Sequence, residues 1–318
     1  MKIAYTGMHF PEPVTSGVLE FIKSKGYSID AIRPKTRNAW DFREELKGYD
    51  IIICAGEKYT KETIAYLSDS LKMISRHGIG TDEIDKEAAA ELGIPVCNSA
   101  GTLSASVAES ALGMMLAVMH KYALLDANMR RGIWGGGGFT PELQGKTVGL
   151  VGFGGIGQYL VKYLAPFGCA VLAYDPYFNQ EAADSLGVKR ATLEDIQRES
   201  DIISLHTPLT EETRGMIDMA FMKKMKPTAI IVNTSRGPII NESDLYEALS
   251  AKIIAGAGLD VFEKEPIDRD NPLTKLDNVL LLPHVAAHSI EGQLAAGLKA
   301  CRNAIALIEG REPESRVN

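Results

Sequence analysis

Apolar and polar positions along the chain fall into two successive series, each alternating strand-like and helix-like segments. In the first series, short β-branched and apolar runs at Ile3–Thr6, Ser28–Ile32, Ile51–Ala55, Leu71–Ser75 and Ile94–Cys97 predict strands. Between them, Val14–Lys25, Lys61–Leu67 and Lys86–Leu92 carry apolar residues at helical spacing, and Gly93 closes the last of these as a C-cap. Such βαβ repetition implies a parallel sheet with right-handed crossovers. Ser104 to Arg130 is one long Ala-, Leu- and Met-rich helical pattern, read as a crossover between two domains. A glycine-rich loop, Ile133-Trp-Gly-Gly-Gly-Gly-Phe139, precedes the second series. Its strands are predicted at Thr147–Val151, Ala170–Tyr174, Asp201–Leu205, Ala229–Asn233, Ile254–Leu259 and Val279–Leu282. Helices are predicted at Leu193–Glu199, Met219–Met225 and Glu242–Lys252, with a last one from Ser289 to Ile308. If that last helix returns to the first domain, two strands of chain join the domains and a cleft lies between them.

The stretch Lys146-Thr-Val-Gly-Leu-Val-Gly-Phe-Gly-Gly-Ile-Gly-Gln158 organises the second series. A buried strand breaks into glycines at 152, 154 and 157, and a helical pattern follows at Ile156, Leu160, Val161 and Leu164. Gly152 suits a tight turn, Gly154 a close approach of pyrophosphate to the backbone, and Gly157 the packing of helix on strand. The N-terminus of that helix then faces the phosphates. The next strand ends in Asp175, whose carboxylate can accept hydrogen bonds from both hydroxyls of an adenosine ribose. A 2′-phosphate there would be repelled, so NAD is expected over NADP. No such fingerprint follows the first strand, where the chain reads Thr6-Gly-Met-His-Phe-Pro11.

Composition narrows the class further. A length of 318 residues suits about two domains. The net charge of −7 is interspersed, with no basic run, which argues against nucleic acid or an anionic membrane as partner. The most apolar segment, Ala108 to Met119, is interrupted by Glu109 and is too short to span a bilayer. No leader is expected, because Met-Lys-Ile-Ala-Tyr-Thr runs straight into a strand. Cys54, Cys97, Cys169 and Cys301 form no CxxC, so buried thiols in a reducing, cytoplasmic compartment are expected rather than disulfides or metal ligands.

Three residues stand just past the carboxyl ends of consecutive predicted strands: Arg236, Glu265 and His284. Open sheets place ligands at that rim. A guanidinium can hold a substrate carboxylate with a bidentate fork. An imidazole can move a proton while hydride moves at the same carbon. A carboxylate beside the imidazole would fix its tautomer and raise its pKa. Plainer roles compete: a surface ion pair for Arg236, a solvated loop position for Glu265, a strand cap for His284. His206 is a rival base. His284 and His288 have HxxxH spacing, but no acidic residue joins them, so no metal is expected.

Several stretches together carry a family resemblance: Arg76-His-Gly-Ile-Gly-Thr-Asp82, Val107-Ala-Glu109, the 152–157 glycine loop and Tyr174-Asp-Pro176. They continue with His206-Thr-Pro-Leu-Thr210, Asn233-Thr-Ser-Arg-Gly237, Gly256-Ala-Gly-Leu-Asp-Val-Phe262, Glu265-Pro266 and Pro283-His284. In this order the chain resembles the D-isomer-specific 2-hydroxyacid dehydrogenases, the family of phosphoglycerate, glycerate/hydroxypyruvate and D-lactate dehydrogenases. The resemblance implies an α/β protein of two Rossmann-like, doubly wound parallel-sheet domains. A flavodoxin-like substrate domain (residues 1–100 plus 288–318) would be split by an inserted NAD-binding domain (101–287). It implies a catalytic set of Arg236, Glu265 and His284. It also implies a cleft active site and a homodimer built largely by the cofactor domain.

The resemblance places NAD against Val107, Gly152, Gly154, Gly155, Ile156, Gly157, Asp175, His206, Thr207, Pro208, Thr213, Thr234, Ser235 and Asp260. Substrate falls to His77, Gly78, Ile79, Gly80, Arg236 and His284, with the N–H groups of Gly78, Ile79 and Gly80 on its carboxylate. The variable end of the substrate is expected near Met8-His-Phe10, Gly56-Glu57 and Arg76-His77. Leu103, Leu282 and Ala286 depart from the common pattern, where asparagine, threonine and glycine are frequent. The C-terminal regulatory domain of some phosphoglycerate dehydrogenases is expected to be absent. Glyoxylate and hydroxypyruvate are the first substrate expectation and 3-phosphoglycerate the second. The rivals are an NAD(H)-sensing, corepressor-like binding protein and phosphite dehydrogenase. Formate dehydrogenase is disfavoured because that enzyme carries glutamine at the position of Glu265.

Overall fold

A computed structural model describes all 318 residues and divides into two units, Met1–Leu103 with His288–Asn318, and Ser104–Ala287. The first unit is built on five parallel strands: β1 (Ile3–Tyr5), β2 (Ile29–Ala31), β3 (Ile51–Cys54), β4 (Met73–Arg76) and β5 (Val96–Cys97). They lie in the order β2-β1-β3-β4-β5, which is the flavodoxin-like order. Ile51, Ile52 and Ile53 of β3 are fully buried, so the central strand reads as a continuous apolar run rather than an alternation. The long C-terminal helix Ile290–Ile308, capped by Ser289, packs on the helix Glu12–Ser24 and buries Ala296, Ala300, Cys301 and Ala304.

The second unit is a seven-stranded, all-parallel sheet. Its strands are β6 (Thr147–Val151), β7 (Ala170–Tyr174), β8 (Lys189–Arg190), β9 (Ile202–Leu205), β10 (Ile230–Asn233), β11 (Gly256–Leu259) and β12 (Val279–Leu281). They lie in the order β12-β11-β10-β9-β6-β7-β8. The order reverses between β6 and β9, and such switch points open a crevice at the carboxyl edge. The ends of β10, β11 and β12 are neighbours along the same edge.

Two expectations need correction, and one helix was not foreseen. The 104–130 pattern is not one helix but two, Ser104–Met119 and Tyr122–Arg130. The chain turns at Lys121, which adopts φ 56° and sends its ammonium to the carbonyl of Gly137 at 3.0 Å. No glycine or proline marks that turn, so the apolar pattern runs through it unbroken. The helix predicted at Met219–Met225 stops at Met222. A helix at Gln180–Leu186 has no counterpart among the sequence expectations; only Ala183 on it is buried, so it carries no apolar stripe.

Candidate active site

The glycine loop lies at the β6/β9 switch point. Gly152 takes φ 101°, and a Cβ there would stand 2.5 Å from the carbonyl oxygen of His206 at the end of β9. A Cβ on Gly157 would stand 2.8 Å from the carbonyl oxygen of Gly152, so helix and strand meet only because no side chain intervenes. A Cβ on Gly154 would meet nothing within 4 Å. Open space at Gly154, beside close contacts at its two partners, is what a dinucleotide phosphate requires. The helix Gly155–Leu164 starts there, and its first N–H groups have no acceptor within the helix.

Asp175, at the end of β7, accepts from the N–H of Phe153 at 2.7 Å and of Tyr177 at 2.8 Å. One bond falls on each oxygen, leaving lone pairs on both for a ribose. On the other side of the crevice, His206 shares a hydrogen bond with Ser204 through Nε2 at 2.9 Å. His206 Nδ1 and Thr234 Oγ1 are buried without partners. Burial of the ring lowers the pKa of His206 to about 4, which keeps the imidazole neutral. Two orphaned polar atoms past adjacent strands fit a group that would complete them. Thr213 braces the 207–213 turn by donating to the carbonyl of Pro208 at 2.8 Å, and Thr207 sits half-buried in that turn. Val107 is buried one turn into the helix whose Ser104 abuts Gly155. The residues present fit NAD.

Along the same edge the structure brings His284 and Glu265 into contact, Nδ1 to Oε2 at 2.7 Å. His284 adopts φ 57°, a left-handed conformation uncommon for a residue with a side chain. It is held there by its own N–H donating to the carbonyl of Asp260 at 2.8 Å. The Asp260 carboxylate accepts from the N–H groups of Val285 and Ala286, both at 2.8 Å. A buried carboxylate thus clamps the turn that carries the imidazole. Glu265 is steadied through Oε1 by the N–H of Phe262 at 3.1 Å. Burial pushes its carboxyl up, but the bonds from His284 and Phe262 and the charges of His284 and Arg236 outweigh that and hold it below the usual carboxylate range.

Arg236 follows β10 in an extended conformation. Asn233 ties the turn, donating to the Arg236 carbonyl at 2.9 Å and accepting from the N–H and hydroxyl of Ser235. Next to it, Gly237 passes so close to the β11 loop that a Cβ would lie 1.9 Å from the carbonyl carbon of Phe262. This close approach places the two loops side by side, and sequence reasoning missed it. The clamp made by Asp260 was missed too, although its position just after a strand was visible. No three histidine, cysteine, aspartate or glutamate side chains gather as metal ligands.

In the first unit, residues 76–80 form a braced turn past β4. Arg76 donates through Nε to the carbonyl of Gly80 at 3.0 Å, and Asn98 and Ser99 bond the carbonyls of Ile79 and Gly78, each at 2.9 Å. The N–H of Gly78 already donates to the Arg76 carbonyl at 3.0 Å, which leaves Ile79 and Gly80 as the donors of the turn. The His77 side chain, expected against substrate, is instead packed at 2% exposure, bonded to Tyr5 Oη (3.2 Å) and to the Gln293 carbonyl (2.7 Å). Both ring nitrogens are engaged within the unit.

Comparison with known proteins agrees with this architecture. Residues 112–286 match the family described as D-isomer specific 2-hydroxyacid dehydrogenase, NAD binding domain. The D-3-phosphoglycerate dehydrogenase of Archaeoglobus fulgidus is 36% identical over 96% of this chain and 58% of its own length. The glyoxylate reductase of Thermofilum pendens is 38% identical, over 99% of this chain and 94% of the reductase. Among solved structures, the apo D-lactate dehydrogenase of Escherichia coli superposes with a TM-score of 0.85 at 28% identity, over the full length of both chains. The chain spans little more than half the length of the archaeal phosphoglycerate dehydrogenases it matches. It belongs to the D-isomer-specific 2-hydroxyacid dehydrogenase family, and residues 112–286 are its NAD-binding domain.

Proposed function

We propose that this protein interconverts a D-2-hydroxy acid and its 2-oxo acid with NAD, using His284 as the acid–base residue. The observation that carries this is the 2.7 Å bond between His284 Nδ1 and Glu265, on the sheet edge that also bears Arg236 and the dinucleotide loop. NADH, when bound, supplies the hydride that reduces the carbonyl carbon. With Nδ1 occupied by Glu265, Nε2 is the nitrogen that gives a proton to the carbonyl oxygen as that carbon is reduced. One hydride and one proton then convert oxo acid to hydroxy acid, and the reverse reaction returns both. Glu265, ionised because its pKa lies below the usual range, fixes the ring's orientation and balances its charge. Arg236 holds the carboxylate and polarises the carbonyl. In the first unit, the N–H groups of Ile79 and Gly80 are the carboxylate donors that the resemblance implies.

Asp175 favours NADH over NADPH, since a 2′-phosphate near it costs roughly a few kcal/mol at moderate effective dielectric. We propose a homodimer that covers the exposed Trp134, Tyr122, Met129 and Phe139 of the second unit. No helix is long and apolar enough to cross a membrane. All four cysteines are free thiols, which suits a reducing cytoplasm.

The test is loss of NADH absorbance with glyoxylate, hydroxypyruvate, pyruvate and phosphohydroxypyruvate. Turnover of one or more is expected. Tight NADH binding with no turnover of any 2-oxo acid would replace this assignment with a binding-only role.

A further inference from the structure

The first unit holds a buried carboxylate that the hydride-transfer chemistry leaves unused. Its sheet order reverses between β1 and β3, and the carboxyl edge at such a boundary is where open parallel sheets accept ligands. Glu57 stands at that place. It lies three residues past the end of β3 and bonds Thr6, the residue that follows β1. It is only 4% exposed, unusual for a glutamate.

The bonds that Glu57 makes are one-sided. Thr6 Oγ1 at 3.0 Å, Ala55 N–H at 3.0 Å and Gly56 N–H at 3.2 Å all donate to Oε2, and none of the three reaches Oε1. All three donors are neutral, so the carboxylate's charge is oriented without being cancelled by them. One oxygen is anchored and the lone pairs of the other are left for an incoming donor.

The surroundings relate this group to the substrate. Cys54 of β3 and Arg76 of β4 are register partners, so loops 55–57 and 77–80 leave the sheet side by side. The second loop carries the Ile79 and Gly80 N–H groups assigned above to the substrate carboxylate. The Arg76 guanidinium at this corner donates to the carbonyls of Gly80 and His77. On the loop after β1, burial lowers the pKa of His9. Glu57 is the largest charge acting on that ring, ahead of Arg76, Arg37 and His288. Glu57 is the one carboxylate among these charges.

We propose that Glu57 determines substrate specificity: its open oxygen accepts a hydrogen bond from a hydroxyl on carbon 3 of the 2-oxo acid and repels a phosphate there. The proposal rests on the 2-oxo acid assignment above and narrows it to 3-hydroxylated, unphosphorylated substrates. A site built to bond a hydroxyl discriminates strongly against an analogue lacking it, because a buried polar group is then left without its partner.

The experiment compares kcat/KM for hydroxypyruvate, pyruvate and phosphohydroxypyruvate in the wild type, Glu57→Gln and Glu57→Asp. Wild type is expected to prefer hydroxypyruvate to both others. Glutamine keeps an oxygen for Thr6, Ala55 and Gly56 but loses the charge. The hydroxypyruvate-to-pyruvate ratio is then expected to fall about tenfold, the size of one hydrogen bond to a charged group, while phosphohydroxypyruvate gains. Glu57→Asp keeps the charge but withdraws it by one methylene, and lowers the same ratio should the glutamine variant not fold. An unchanged ratio in an active, folded variant would overturn the role of Glu57 alone, as would a wild type that turns over phosphohydroxypyruvate best. A wild type that reduces none of the three acids would remove the 2-oxo acid assignment and this proposal with it.

Discussion

His284 is held in a backbone conformation that few residues adopt, and hydrogen bonds fix both its turn and its ring. The Asp260 carbonyl takes its N–H, the Asp260 carboxylate takes the next two, and Glu265 takes the ring. Strained positions persist where surrounding structure over-determines them, and they concentrate at functional sites. Glu265→Gln tests the charge separately from the geometry. It is expected to lower kcat by about 10²-fold or more while the Kd for NADH stays within about twofold, since amide-for-carboxylate changes beside a catalytic imidazole are costly. An unchanged kcat would show that the carboxylate is only a structural neighbour. The pH dependence follows from the direction of its shift. The folded pKa lies below the ordinary 4.5, so the stabilisation Glu265 provides is complete above the ordinary carboxylate range. It is lost as pH falls through the lower, folded value. Acid unfolding of Glu265→Gln should therefore be less steep below about pH 4.5 than that of the wild type.

Short strands carry this site, and the loops beyond them do the positioning. Gly237 is the clearest case, because a methyl group there would collide with the backbone of Phe262 rather than with a flexible side chain. Gly237→Ala is expected to cost about 1–3 kcal/mol in urea unfolding and to reduce kcat/KM at least tenfold by separating Arg236 from Glu265. A variant as active and stable as wild type would show that the two loops are not held by that contact. The same elements show what a sequence can reveal. The strand ends bearing Arg236, Glu265 and His284 were legible because buried parallel strands are continuous apolar runs with clear stops. The close approach at Gly237 and the clamp by Asp260 were not, since both join segments distant in sequence and neither residue type announces its partner. The break at Lys121 was hidden in the same way. The helix Gln180–Leu186 was missed for lack of an apolar stripe, yet its boundaries were written in Asn179, whose side chain accepts from Ala182 N–H, and in Gly187 at φ 69°.

For the whole molecule, the two sheet orders matter more than any single contact, because each has one place where its connections diverge. In the second unit that place holds the glycine loop and His206; in the first it holds Thr6 and Glu57. The sequence indicated both sheets through their alternation, but not which carboxylate would be buried at the first switch point. Buried histidines set a further global property. Burial lowers His77 to about 3 from its ordinary 6.5, so between those values the unfolded chain binds a proton that the folded one excludes. Stability then rises with pH across that window, and the gain is complete above the unfolded value. His77→Asn should flatten the dependence of the urea midpoint on pH between 6.5 and 3, whatever it costs at neutrality. An equal slope in the variant would place the proton elsewhere. The most direct test of the whole account is the turnover of the best 2-oxo acid by His284→Ala, measured together with NADH binding. A fall of about 10²–10⁴-fold in kcat with NADH binding retained is the predicted result. Reduction as fast as wild type would contradict proton transfer by His284, and with it the mechanism proposed for this site.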